Sequence, residues 1–174
     1  FSPTSTSSWG PKFGSTPTLA NGLLTTAGQI IDYRAYPTNI IDFFETGNVF
    51  ENNVNVNSGD ARQNVNLSLG NTDQKGILPN SSFNRTNLAL KFNSYLTDKF
   101  KVGASVDYII SKQLGITHGN GATSALFQLF SVPRSFDLQF YKTHYKNPDG
   151  GNNWPLNSTR DNPYFAAYED PVTS

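Results

Sequence analysis

Four stretches of the chain alternate apolar and polar side chains with a period of two, and this alternation restricts the fold more than any other feature. In Val49 to Gly59, Phe50, Val54 and Val56 share one face while Asn53, Asn55 and Asn57 take the other. In Gln63 to Gly70, Val65, Leu67 and Leu69 oppose Asn64, Asn66 and Ser68. Thr86 to Leu96 sets Leu88, Leu90 and Phe92 against Ala89, Lys91 and Asn93. Phe100 to Ser111 sets Phe100, Val102, Ala104, Val106 and Tyr108 against Lys101, Gly103, Ser105 and Asp107. Alternation at this period predicts β-strands, and the β-branched and aromatic residues strengthen the reading. Asn is a poor strand former. Amides facing a dry core would leave unpaired groups, each costing on the order of 1–3 kcal/mol. The Asn face is therefore wet. Such a sheet either covers a soluble core or walls a barrel with lipid outside and water inside.

The connections favour the barrel. Gly59-Asp60-Ala61-Arg62 and Thr97-Asp98-Lys99 read as tight turns, whereas Phe1 to Asn48, Asn71 to Arg85 and Lys112 to Ser174 read as long loops. Outer-membrane barrels alternate short periplasmic turns with long outer loops in this way. Phe100 and Tyr108 stand eight residues apart on the apolar face. At ~3.3 Å per residue and a tilt of ~40° they span about 20 Å, near the height of an aromatic-edged lipid band. Four strands cannot close a barrel, since about eight are needed, and open edges do not face lipid. The expected fold is thus all-β: a fragment of a large antiparallel transmembrane β-barrel, with long extracellular loops and one short helix at Ser124 to Phe130, ended by Pro133.

Composition agrees and removes other classes. Of 174 residues, 36% are hydrophobic and 15% charged, so uncharged polar groups provide the solubility. Roughly twenty residues are Asn, far above ordinary usage. An aromatic content of 13% argues against disorder. The net charge of zero provides no basic footprint for nucleic acid and no polybasic patch for a membrane surface. Without cysteine there are no disulfides and no thiolate chemistry. The chain starts at Phe1 and contains no Met, which leads to the expectation of a processed product or internal segment. Its first residues, FSPTSTSSWGPKFGS, lack the basic and apolar regions of a signal peptide. No apolar run reaches the ~18 residues of a transmembrane helix.

Several segments resemble the SusC/RagA family of TonB-dependent outer-membrane transporters. Ser8-Trp9-Gly10-Pro11-Lys12-Phe13 resembles the family's SWGP segment. Asp42-Phe43-Phe44-Glu45-Thr46-Gly47, followed by the strand Asn52 to Val56, resembles its F-F-x-T-G stretch and N-N-V-x-V strand. Gly76-Ile77-Leu78-Pro79-Asn80 and Arg85-Thr86-Asn87 are similar to its G-I-x-P-N loop and R-x-N strand start. Leu96-Thr97-Asp98-Lys99-Phe100 resembles its periplasmic turn, and Asn162-Pro163-Tyr164-Phe165 its N-P-Y-W element, ending here in Phe. The family's Gly-Gly at the first short turn is Gly59-Asp60 in this chain.

The resemblance covers nearly the whole of residues 1–174. It implies a barrel of about 22 strands, of which these would be about strands two to five. The plug domain and the remaining strands would lie outside this sequence. It further implies residence in the outer membrane of a Gram-negative, Bacteroidota-type bacterium and energised import of glycans or peptides. The implied partners are a SusD-like surface lipoprotein acting as a lid, the TonB complex reached through the plug or N-terminus, outer-membrane lipid, and an oligosaccharide or peptide substrate.

Catalytic and metal chemistry find little support. His118 and His144 lack the partners of an HxxxH or HExxH site, so no metal and no cofactor is expected. Glu45, Glu51 and Glu169 are not arranged as a glycosidase pair, and no G-x-S-x-G occurs. His118-Gly119-Asn120-Gly121-Ala122 is not a phosphate loop. Asn66, Asn80, Asn84 and Asn157 begin N-x-[ST] sequons, as chance provides in an Asn-rich chain. Trp9, Tyr33, Phe43, Phe44, Trp154, Tyr164 and Phe165 suggest loops that pack in an ordered way. Trp154 and Tyr141 lie outside the family motifs and are the candidates for substrate contact. The expected function is therefore import without catalysis. The alternatives are a secreted carbohydrate-binding β-sandwich, which requires a dry inner core, and a glycan-degrading enzyme, which requires a carboxylate pair.

Overall fold

The alternating segments form consecutive strands of one sheet: β1 (Asn48–Gly59), β2 (Gln63–Lys75), β3 (Ser82–Thr97) and β4 (Phe100–Ile116). Each pairs antiparallel with the next in the order β1-β2-β3-β4, and the short β5 (Pro171–Thr173) follows β4 in that order. The structure is a computed structural model that describes residues 12–13, 34–116, 124–154 and 162–169, and the backbone of 171–173. The sequence motif at Ser8 to Pro11, and Trp9, Tyr33, His118 and Asn157, lie outside the described residues. The chain divides into two compact units, one of which holds Thr46–Gly76 and Ser81–Leu114, the body of the sheet.

Both expected tight turns are present. At the first, Asp60 Oδ1 accepts from the backbone N–H groups of Arg62 at 2.8 Å and Gln63 at 2.9 Å. These are bonds an Asx-type turn provides. They hold the Asp60 carboxyl below its ordinary pKa, because the charged oxygen is the better acceptor. At the second, Lys99 N–H donates to Thr97 Oγ1 at 3.3 Å, and the register between β3 and β4 shifts between Tyr95 and Thr97.

The stretch from Asn71 to Arg85, expected as a long loop, is mostly strand. Asn71 pairs with Thr86 and Lys75 with Ser82, so the connection shrinks to residues 76–81. It is closed by Gly76 N–H to Ser81 O at 2.9 Å, with Asn80 in the left-handed region at φ 57°. The reason is compositional. Asn71, Asp73 and Lys75 on one face and Thr72 and Gln74 on the other are all polar, so no alternation marks them. Backbone pairing and the Asn71 Nδ2 to Thr86 Oγ1 bond at 3.2 Å hold them in the ladder. β4 likewise runs past Ser111 to Ile116.

Among its described residues the second unit contains four short helices: α1 (Asn39–Phe43), α2 (Ala125–Phe130), α3 (Phe140–Thr143) and α4 (Pro163–Glu169). α2 is the helix expected from the sequence. Ser124 is its N-cap, its hydroxyl accepting from Phe127 N–H at 3.4 Å, and the helix ends before Pro133. α4 begins with Asn162, whose Oδ1 accepts from Tyr164 N–H at 2.9 Å, and with proline at the first helical position.

Gly59 closes β1 where the chain turns into β2. A Cβ added there would collide with the Gln63 carbonyl and lie 2.7 Å from Asn64 Cα, both backbone atoms that cannot swing aside. Gly59→Ala is expected to destabilise the protein by about 1–3 kcal/mol through overpacking. Gly115→Ala, which meets nothing within 4 Å, is the neutral control. Denaturant midpoints measure both.

Candidate functional site: a two-faced sheet and a packed loop cluster

Register brings the four alternations onto common faces. Val54, Leu69, Leu88 and Tyr108 form one cross-strand row, and Val56, Leu67, Leu90 and Val106 form the next. A third is Ser58, Val65, Phe92 and Ala104. On the reverse face the rows read Asn57, Asn66, Lys91, Ser105 and Asn55, Ser68, Ala89, Asp107. Hydrocarbon thus gathers on one side and amides on the other, since strand neighbours in register point the same way.

Among the described residues neither face is covered. On the apolar side Val54 and Tyr108 are each 56% exposed and Val106 is 57% exposed. On the amide side the groups bond to one another. Asn66 Nδ2 donates to Asn57 Oδ1, and Ser68 Oγ donates to Asn55 Oδ1 at 2.6 Å. Cross-strand hydrogen bonds of this kind orient the amides and leave their remaining lone pairs and N–H groups to water.

The apolar band has limits. Along β4 it runs from Phe100 to Ile110, and Lys112 then occupies the same face. On β2 and β3 Asn71 and Thr86 replace hydrocarbon, followed by Asp73 and Asn84. At the other end stand Asp98 and Lys99 of the turn. Ile109 is an exception, standing on the amide face in the row of Asn53, Gly70 and Asn87.

The second unit has its own core, built from segments far apart in sequence. Phe43 and Tyr164 meet with ring centroids 5.0 Å apart, and Phe44 stands edge-on to Phe43 at 5.9 Å. Asn80 Nδ2 donates to Ala167 O at 3.0 Å, and Glu45 N–H donates to Ile77 O at 2.8 Å. The D-F-F-E-T-G, G-I-L-P-N and N-P-Y-F segments therefore converge. Ile116, Leu129 and Leu138 fill the space between them. The ordered packing expected for the loop aromatics holds among the described residues.

Trp154 and Tyr141 are brought together. Their rings stand 5.6 Å apart, and both contact Phe136, at 4.8 Å from Trp154 and 4.9 Å from Tyr141. Tyr141 is fully buried and Trp154 partly so, which makes them packing residues of the cluster as it stands. Among the described residues the Tyr141 hydroxyl and Trp154 Nε1 have no hydrogen-bond partner. Asn162, which sequence reading used only as part of a motif, donates through Nδ2 to Tyr141 O at 3.1 Å and is completely buried. Its signal was legible: Asn followed by Pro is a helix start.

The remaining candidates have local roles. His144 stacks on Phe140 at 4.2 Å, and its Nδ1 lies 3.0 Å from Phe140 O. Glu169 accepts from Lys146 Nζ at 2.7 Å, a contact that raises the lysine pKa. Among the described residues no three His, Asp or Glu gather as a metal site. No helix among them is long and apolar enough to cross a membrane. No family model and no curated protein matches the sequence.

Two outcomes test this cluster. Burying a hydroxyl without a partner costs about 1–3 kcal/mol, so Tyr141→Phe is expected to leave stability unchanged or raise it. A lower denaturation midpoint would reveal a partner for that hydroxyl. Burial, reinforced by the nearby Asp137 charge, pushes Tyr141 up from 10.0 to about 12, and burial does the same to Tyr164. A raised folded-state pKa means that the stabilisation is complete below pH 10 and is lost as the pH climbs from 10 through about 12. Near-ultraviolet circular dichroism of the aromatic cluster should decline over that window together with the rise of tyrosinate absorbance.

Proposed function

We propose that this chain is part of the wall and mouth of an outer-membrane β-barrel that imports glycans or peptides in the manner of SusC/RagA-type TonB-dependent transporters. The single observation that carries the reading is the bounded apolar band. Ten residue steps separate Phe100 from Ile110, about 33 Å at ~3.3 Å per step, or about 25 Å at a tilt of ~40°. On β4 that height matches the lipid-facing belt of an outer-membrane barrel, with ionisable residues on the face only beyond it. On β2 and β3 the rows of Val102 and Ile110 already hold the uncharged polar groups Gln63, Ser94, Asn71 and Thr86. Extended strands above the belt account for polar pairing at Asn71 to Lys75, where both sides would meet water.

The amide face is suited to a lumen, since polar uncharged groups exchange hydrogen bonds with water and with the hydroxyls of a passing solute. Family-like segments packed into one core would form the mouth, where a SusD-like lid and the substrate dock. The energy for passage would enter through TonB and a plug. A secreted β-sandwich needs its apolar face buried on a second sheet, and the exposure of Val54, Val106 and Tyr108 argues against it.

Arginine at the bilayer midplane of a barrel's lipid face costs ~2–4 kcal/mol. Val106→Arg should therefore depress the stability of the full-length protein in liposomes by about that amount, while its sheet neighbour Ser105→Arg on the other face has little effect. Equal effects would refute the assignment of faces. Nitroxides placed at Val54 or Tyr108 should be relaxed by oxygen dissolved in lipid, and those at Asn55 or Asn66 by water-soluble nickel chelate. A soluble, cooperatively folded monomer from residues 1–174 alone would overturn the barrel.

A further inference from the structure

At the end of the amide face, beside the β1–β2 turn, lies an open recess of about 210 Å³. Its backbone is held by hydrogen bonds. Asp60 ties down the turn through two backbone N–H groups, Asp60 N–H reaches Gln63 O at 2.7 Å, and Tyr95 N–H fastens β3 to Arg62 O at 2.8 Å. The site is thus formed before any ligand arrives, which lowers the entropy cost of binding.

Its chemistry is of three kinds. Lys101 Nζ stands 5.2 Å over the ring of Tyr95 and has no carboxylate partner among the described residues. Arg62 adds a second positive charge, held by Asp98 only at 3.4 Å with both side chains largely in solvent. The one carboxylate in the lining, Asp60, is turned to the turn N–H groups, which keep it ionised. The lining thus holds two cations against one anion, with Asp98 beside Arg62 outside it. Asn64 and Asn93 form one cross-strand row flanked by Gly59 and Gly103, with Asn64 exposed and Asn93 partly so. Tyr95, 46% exposed, supplies an aromatic surface.

We infer that this recess is a binding subsite for a carboxylated saccharide unit. The carboxylate meets Lys101 and Arg62, where a charged hydrogen bond is about twice as strong as a neutral one. Adjacent hydroxyls, each both donor and acceptor, match the amides of Asn64 and Asn93. The C–H face of the sugar ring covers the exposed part of Tyr95. A neutral sugar forgoes the cations, and a bare anion forgoes the amides and the ring. The inference rests on the amide face being the water-filled side of the wall.

Calorimetric titration of the full-length protein in detergent with D-glucuronate, D-glucose and acetate tests it. Glucuronate is expected to bind at least tenfold more tightly than glucose or acetate and to weaken with added salt. Lys101→Met should reduce glucuronate affinity at least tenfold, and Tyr95→Leu several-fold. Equal binding of acetate and glucuronate, equal binding of glucose, no glucuronate binding, or an unaltered Lys101→Met protein would each overturn the subsite. Failure of the barrel reading is distinguished by a cysteine at Asn66. Its reaction with a membrane-impermeant maleimide in liposomes, while a cysteine at Val54 stays protected, leaves the wall intact whatever the titration shows.

Discussion

An amide side chain in a strand needs its donors and acceptors occupied, and this chain places amides on one face of four adjacent strands. Neighbouring pairs such as Asn66 with Asn57 and Ser68 with Asn55 satisfy part of that need. Water must satisfy the rest, because an unpaired buried amide is costly. The other side of the same strands carries valine, leucine and aromatic groups whose transfer out of water is favourable. One sheet therefore carries two faces of opposite character. Everything else in the sheet follows from keeping those faces apart.

Register converts this local alternation into a wall. A shift of one residue between any two strands would turn leucines toward the amides across the whole pairing. The turns guard against that shift. Asp60 caps the first with its carboxylate, and the bulge between Tyr95 and Thr97 adjusts the second. Where the band of hydrocarbon ends, at Asn71 and Thr86, pairing continues without an apolar side. Stability there rests on backbone hydrogen bonds and polar cross-strand contacts rather than on burial.

The second unit obeys a different rule. Its helices are each seven residues or shorter, too short to persist alone, so packing and capping hold them. Phe43, Tyr164 and Leu129 provide the apolar centre. Asn39, Asn80 and Asn162 tie distant backbone carbonyls to it, at Phe136, Ala167 and Tyr141 respectively. Asparagine has different uses in the two units: largely bonded to neighbouring side chains in one, and tied to distant backbone carbonyls, with Asn39 and Asn162 buried, in the other. Trp154 and Tyr141 are ligand candidates from the sequence because they lie outside the family-like segments. Their packing against Phe136 became visible only when the loops were folded together.

Period-two patterning in the sequence determined that Val54, Leu67, Leu90 and Val106 occupy strands and that their neighbours face elsewhere, since side-chain alternation is a property of the extended backbone itself. It also determined both tight turns and the helix capped by Ser124, where local hydrogen bonding decides. Tertiary structure alone decided how far β2, β3 and β4 extend, because polar strand ends are defined by partners across the sheet. It alone decided that segments around Phe43, Asn80 and Tyr164 meet, and that the Lys101, Tyr95 and Asn64 groups share one recess. Those proximities depend on contacts between residues distant in the chain, and no local periodicity encodes them.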